Sequence, residues 1–280
     1  MAYTPPWQTL PPTPELPPPT HQAHAQINNI SLWYALYGPP LNRKASEPPV
    51  VLLHGGKISS RWWGHLIRSL SPSFSLIALD TRAHGRSSDD LSNPLSYAQF
   101  AHDTISLLDL LHVPRASFIG WSDGANTALN IAMGYSRRVD RVIPYGANFN
   151  PDQVNTTGLA GVPFGADLVS REEEQYNALN PDPDWARFKE RMVLMQGSSP
   201  VWQQADFDRI PTLDEDGEAP MIMVAAGDHE EAIVRTTPGE IYRMIPNSQL
   251  TILPGMSHFG PLQDPETFAA SIKTFLSKAR

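Results

Sequence analysis

Ser122 stands in the pentapeptide Gly120-Trp121-Ser122-Asp123-Gly124, between a β-prone apolar run, Arg115 to Trp121, and a run of helical density, Ala125 to Met133. A strand that turns this sharply into a helix needs small residues on either side of the turning residue, whose side chain is forced outward. The hydroxyl is then exposed at the carboxyl edge of a sheet, with the amino end of the following helix behind it. Such a serine becomes a nucleophile when a base takes its proton, and the base needs a carboxylate to fix its tautomer. His258 follows the apolar run Leu250 to Leu253 through Pro254-Gly255-Met256-Ser257. Asp228 and Glu230 follow the run Met221 to Ala226, giving the chain order serine, acid, histidine. Spacing alone leaves the choice between the two acids open. An oxyanion would meet the backbone N–H of Asp123, next to the serine, and a second donor after the run ending at Leu53. That donor is assigned to Gly56 in His54-Gly55-Gly56, with Lys57 as the neighbouring alternative.

These groups need a scaffold that brings several strand ends to one edge. Val50 to Leu53, Phe74 to Asp80, Arg115 to Trp121, Arg141 to Tyr145, Met221 to Ala226 and Leu250 to Leu253 read as buried strands. Helices alternate with them, including one opened by the capping box Ser96-Tyr97-Ala98-Gln99 and a last one opened by Asp264-Pro265. The expected class is α/β, a mostly parallel sheet flanked by helices, with ligands beyond the carboxyl ends of its strands. From Asn150 to about Phe207 the rhythm breaks, and residues 150–207 are expected to form a helical cap inserted between core segments 27–149 and 208–280. Trp121 and the cap residues Trp185, Met192, Met195 and Trp202 are the expected pocket walls. Residues 1–26 carry Pro5, Pro6, Pro11, Pro12, Pro14, Pro17, Pro18 and Pro19. They are expected to form a polyproline-like tail without helix or sheet, docked on the core, if at all, by Trp7 or Leu10, with His21 and His24 in solvent.

Composition narrows the function. With 280 residues, 41% of them hydrophobic, the chain can bury a sizeable core without staples. The formal charge of -8 argues against nucleic acid or an anionic membrane as partner and favours a small-molecule substrate. The absence of cysteine removes disulfides, thiolate metal sites and cysteine nucleophiles. No metal or cofactor is called for. There is no apolar run of membrane-spanning length and no basic patch followed by an apolar core at the start, so a cytoplasmic protein, monomer or homodimer, is expected.

His54-Gly55-Gly56, Asp80-x-Arg82-x-x-Gly85-x-Ser87, the Ser122 pentapeptide and Gly255-x-x-His258 together make the chain similar to the α/β-hydrolase superfamily from residue 27 onward. The pentapeptide followed by Gly146-Ala147-Asn148 is most similar to the serine hydrolase branch of biphenyl hydrolase-like proteins, the amino-acid-ester hydrolases. The resemblance implies that the acid occupies the third position after Gly227. Glu230 then stands where an aspartate is usual, with Asp228 as second candidate. Ala83 replaces a common glycine. A serine nucleophile excludes epoxide hydrolase and haloalkane dehalogenase chemistry, which need an aspartate there. In that branch an aspartate beside the nucleophile helps to bind a substrate amine, a position matched by Asp123. The expected activity is hydrolysis of a small, hydrophobic carboxylic ester, thioester or lactone. Carbon–carbon bond hydrolysis, cofactor-free perhydrolysis and a slow or non-catalytic ligand receptor are the alternatives.

Overall fold

The computed structural model describes residues 3–41, 48–212 and 219–278. Parts of the loop before Val50 and of the segment that resumes the core at 208 therefore lie outside the described residues. The strands are β1 (His21–Ile27), β2 (Ile30–Tyr37), β3 (Val50–Leu53), β4 (Leu76–Leu79), β5 (Ala116–Trp121), β6 (Val139–Tyr145), β7 (Met221–Gly227) and β8 (Gln249–Leu253). The helices are α1 (Gly64–Leu70), α2 (Tyr97–Leu110), α3 (Asp123–Gly134), α4 (Thr156–Gly161), α5 (Gly165–Leu179), α6 (Trp185–Ser198), α7 (Gln204–Phe207), α8 (Thr237–Met244), α9 (Gly260–Gln263) and α10 (Pro265–Leu276).

The eight strands form one sheet in the order β1-β2-β4-β3-β5-β6-β7-β8. The β1-β2 and β2-β4 pairs are antiparallel, and all the others are parallel. Side-chain alternation sorts the apolar residues onto two faces. Val50, Leu52, Ile119 and Ile143 face α1 and α10, whereas Val51, Leu53, Phe118 and Val142 face α2, α3 and α8. Burial on both faces explains why these strands read as continuous apolar runs. From β3 the chain steps to β4 on one side and then to β5 on the other, so the crevice where ligands gather opens at the end of β5. Ser96 caps α2 as expected, accepting the Gln99 N–H at 3.1 Å. Among the described residues no helix is long and apolar enough to cross a membrane.

The amino-terminal expectation needs two corrections. Residues His21–Ile27 are a strand, joined to β2 through Asn28 and Asn29 at φ 45° and 64°. Two left-handed residues make a hairpin turn whose twist matches its strands, and the last proline of the run, Pro19, lies before the ladder begins. His21 and His24 are exposed on this edge strand. The proline-rich part is a strap lying on the protein, with a 3-10 turn at Pro6–Gln8. Trp7 stacks on His229 with ring centroids 3.8 Å apart, and Leu10 is buried in the core. Prolines leave carbonyls without matching N–H groups, and side chains supply the missing donors. Gln263 donates to Thr9 O, Arg171 of α5 donates to the carbonyls of Leu10 and Pro11, and Arg68 donates to Glu15 O. Gly64 leaves room for the strap, since a Cβ there would stand 2.7 Å from Glu15 O.

The strap thus ties α5 to the core. A Leu10→Ala, Arg171→Ala double variant is expected to release it, destabilising the protein by roughly 2–4 kcal/mol. Limited proteolysis checks this: cleavage within residues 3–20 should appear in the variant well before the core is cut, and be absent in the wild type.

Candidate active site

Strand register places the loops. Leu53 pairs with Gly120, Trp121 with Tyr145, and Gly227 with Leu253, so the loops after β3, β5, β6, β7 and β8 leave the sheet side by side. Ser122 turns the chain at φ 57° and ψ -120°, a left-handed conformation strained for a side-chain-bearing residue. Its N–H donates to Tyr145 O at 2.9 Å, while its carbonyl accepts the Ala125 and Asn126 N–H groups that open α3. The glycines answer to measurable contacts. A Cβ on Gly120 would stand 2.2 Å from Gly124 O, and one on Gly124 would stand 2.1 Å from Leu53 O.

The loop after β3 is set by His54. This buried imidazole donates through Nδ1 to Gly55 O at 2.8 Å and accepts the Thr81 N–H on Nε2 at 2.9 Å, which requires the neutral ring. Burial holds its pKa below the ordinary value, in keeping with that role. Gly55 and Gly56 pass against the elbow: a Cβ on Gly55 would be 3.3 Å from Ser122 Cβ, and one on Gly56 would be 2.1 Å from Asp123 Oδ2. Asp123 opens α3, whose first N–H groups have no partner within the helix. Gly55 and Gly56 of the β3 loop and Asp123 at the start of α3 therefore adjoin one another at the Ser122 turn.

The Asp80 motif serves architecture. Asp80 accepts from the Ser60 N–H and hydroxyl on one oxygen and from Arg86 on the other, and Ser87 donates to Asp80 O. Arg82 makes a buried two-pronged pair with Asp103 at 2.8 and 2.9 Å. His84 lies under α6 between Phe100 and Phe188, and burial pushes its pKa down to about 3.

His258 and Glu230 meet over the end of β6. Nδ1 of His258 lies 2.8 Å from Oε1 of Glu230, both side chains being almost wholly buried. The contact is short but off-axis, the ring N–H not pointing squarely at the oxygen. Glu230 Oε1 also accepts the N–H groups of Ala232 and Ile233 at 2.9 and 3.1 Å. Gly146, at φ 66°, leaves the imidazole its space, since a Cβ there would be 2.7 Å from Cε1. Burial is the largest single influence on His258 and acts downward. Glu230, through both its charge and its contact with the ring, together with the charges of Glu231 and Asp123, outweighs it, so the pKa lies above the ordinary imidazole value.

Asp228, the other acid considered, faces away. Its N–H donates to Leu253 O, and its exposed carboxylate contacts the His229 ring at 2.7 Å and accepts the Met256 N–H. The loop therefore runs alongside the β8 exit for two residues before it turns inward at Glu230.

A cavity of about 870 Å³ opens above Ser122. Trp121, Ser122, Asp123, Gly56 and His258 line it from the core. The segment from α4 to α6 supplies Leu159, Val162, Leu168, Val169, Glu172 and Gln196. The cap residues singled out from the sequence are elsewhere. Trp185, Met192 and Met195 are buried with Phe188, Tyr176, Tyr97 and Phe100 in a cluster that fastens α6 to the loop around Ala83. Trp202 packs on Phe207 at the rim of the core, its backbone N–H donating to Phe149 O. The apolar stripe of α6 thus packs against Ala83, Leu95 and the start of α2, and the cavity wall comes mostly from the less conspicuous α4 and α5, rich in small and charged residues. Leu159, Val162, Leu168 and Val169 share neither a helical nor a strand period, so no periodic signal in the sequence marks that wall.

The polar groups of the cavity are largely engaged. Asp123 accepts from Tyr97 Oη at 2.7 Å and from Gln196 Nε2 of α6 at 2.8 Å. Burial raises its pKa, the two donors only opposing the rise. The implied amine position is therefore already filled on both oxygens by neutral donors. Lys57, at φ 62° after Gly56, reaches Glu172 of α5 at 3.4 Å, linking the β3 loop to α5. Among the described residues no cluster of three or more His, Cys, Asp or Glu could hold a metal ion.

Residues 50–271 match the model of the family described as "Alpha/beta hydrolase family". The chain belongs to the alpha/beta hydrolase family. Among its relatives, the Caulobacter sp. (strain K31) protein named "Putative carbamate hydrolase RutD" is 26% identical over 276 residues, covering 88% of this chain and 96% of that one. The "3-oxoadipate enol-lactonase 2" of Acinetobacter baylyi is 30% identical over 115 residues, 41% of each chain. A meta-cleavage product hydrolase from Pseudomonas fluorescens IP01 superposes with a TM-score of 0.72 at 19% identity, over 94% of this chain and 99% of that one. The enol-lactonase from Burkholderia xenovorans LB400 does so at 0.67 and 20%, over 91% and 100%. The structural likenesses show the fold, and the family match makes this alpha/beta hydrolase an enzyme of the hydrolase class.

Proposed function

We propose that this alpha/beta hydrolase cleaves a small carboxylic ester, thioester or lactone through an acyl-enzyme on Ser122. The observation that carries the reading is the strained Ser122 elbow at the floor of a mostly apolar cavity that also admits a histidine paired with a buried glutamate. Ser122 Oγ attacks the carbonyl carbon while its proton passes to Nε2 of His258. Glu230 holds the Nδ1 proton and the imidazolium that results. The oxyanion of the tetrahedral intermediate takes hydrogen bonds from the N–H groups of Gly56 and Asp123. As the intermediate collapses, His258 returns its proton to the departing oxygen or sulfur. Water then repeats the attack on the acyl-enzyme and frees the acid. Apart from that water, each step uses groups of the chain itself.

The walls support a modest, largely hydrophobic substrate, since Leu159, Val162, Leu168 and Val169 face Trp121 and Phe259 across the cavity. Lys57 and Glu172 give one polar end. The names of the two curated relatives, a carbamate hydrolase and an enol-lactonase, agree with attack on an activated carbonyl. The negative net charge favours such a ligand over nucleic acid.

Intact-protein mass spectrometry after exposure to a fluorophosphonate tests the reading without knowledge of the substrate. Wild type is expected to gain one adduct, mapped to Ser122. Ser122→Ala is expected to gain none, and His258→Ala to label at least 10²-fold more slowly. An adduct elsewhere, or no adduct on folded wild type, would reject it.

A further inference from the structure

The loop that carries Glu230 holds a second acid that the reaction above leaves unused. Glu231 Oε2 accepts the backbone N–H of His258 at 2.9 Å, while its Oε1 is shut from solvent without a hydrogen-bond partner. An orphaned carboxylate oxygen destabilises a fold unless a positive charge comes close. The charged and titratable neighbours are few. Its own loop brings Asp228, His229, Glu230 and Arg235; His229 is turned to Asp228 and Trp7, and Arg235 is exposed and donates to Glu230 O. The β8 loop brings His258 and Ser257, which both oppose the rise that burial imposes on the Glu231 pKa, β6 brings Tyr145, whose hydroxyl donates to Ser257 O, and α3 brings Asp123. Of these, the His258 ring is the group that gains a proton, and with it a positive charge, in the proposed attack by Ser122. Glu230 Oε2 is likewise buried without a partner, so two adjacent glutamates each keep an unsatisfied oxygen near one imidazole.

We propose that Glu231 is a positioning residue for His258, which it fixes through the backbone N–H and whose imidazolium it stabilises with a second negative charge beside Glu230. The role rests on the serine-hydrolase reading above. Two carboxylates explain how an imidazole so buried keeps a raised affinity for a proton. They also suit the two loops to each other. A Cβ on Gly227 would stand 2.2 Å from Met256 O, so the β7 and β8 loops are pressed together where Glu231 bridges them.

The rate of fluorophosphonate labelling of Ser122 as a function of pH tests this. The neutral ring is the base, so the rate rises with pH through the pKa of His258, with a wild-type midpoint above about 6.5. In Glu231→Gln the amide oxygen still accepts the His258 N–H but the charge is gone. Its midpoint is expected to fall by about half to one unit, with the plateau rate within about threefold of wild type. Glu231→Asp keeps the charge on a shorter arm, and is expected to keep the wild-type midpoint while losing about tenfold in plateau rate. A merely structural glutamate would change plateau rates and leave both midpoints alone, and that result would overturn the proposal. If Ser122 does not label at all, the hydrolase reading fails instead. The proposal is then decided by NMR titration of the His258 ring in wild type and Glu231→Gln, where an unchanged pKa would also reject it.

Discussion

Glu230→Gln is expected to lower kcat by about 10⁴-fold on any ester the enzyme turns over, with the fold intact. The amide oxygen can still accept from the N–H groups of Ala232 and Ile233, so the loop keeps its shape. What is lost is the charge that stabilises the imidazolium, and the amide can present an N–H donor to Nδ1 and favour the wrong tautomer. Asp228→Asn is expected to stay within about twofold of wild type, because the Asp228 carboxylate is exposed and pairs with His229. Single-turnover acylation with p-nitrophenyl acetate, beside thermal unfolding of each variant, measures both effects. A small loss in Glu230→Gln with a large one in Asp228→Asn would transfer the role of the acid to Asp228.

The second large effect belongs to the elbow. Gly124→Ala is expected to destabilise the protein by about 3 kcal/mol or more and to abolish labelling of whatever fraction folds. The new Cβ would meet Leu53 O at 2.1 Å, Leu53 C at 2.5 Å and His54 O at 2.6 Å. All three are backbone atoms where β3 leaves the sheet, so no side chain can swing aside. Relief requires α3 and the His54-Gly55-Gly56 loop to separate, and that moves the N–H groups on either side of Ser122 apart. Gly197→Ala is the control. Gly197 lies in α6 with nothing within 4 Å of its would-be Cβ, so alanine there is expected to be neutral or to stabilise by about 0.5 kcal/mol. Denaturant unfolding of the three proteins checks the contrast, and equal stability of Gly124→Ala and wild type would contradict the steric account.

Much of this was legible in the sequence because it rests on local rules. An elbow needs glycines two residues before and two after its turning residue, whatever surrounds it, and Ser122 is so flanked. Strands covered by helices on both faces read as apolar runs, so the sheet from β3 to β8 and the order of its loops followed from periodicity. Chain order then placed His258 and an acid at neighbouring strand ends. The capping of α2 by Ser96 and of α10 by Asp264, which accepts the Thr267 N–H, was equally local.

The tertiary structure decided what depends on which way a side chain faces. Asp228 and Glu230 are two residues apart, and pairing of the Asp228 and His229 N–H groups with the β8 exit is what turns one carboxylate to solvent and the other to His258. The apolar stripe Trp185, Phe188, Met192, Met195 announces a buried helix face without saying what buries it. In the folded chain that partner is Ala83 and Leu95 of the loop before α2 with Tyr97 and Phe100 of its first turn, so the cavity is walled mostly by α4 and α5. The prolines of the amino-terminal strap forbid a ladder but not docking, and the donors that hold it, Arg68, Arg171 and Gln263, lie far away in the sequence. Periodicity and turn sterics are properties of a few consecutive residues and survive in any fold. The pairing of one surface with another is a property of the whole packed chain, and it set the acid, the cavity wall and the strap.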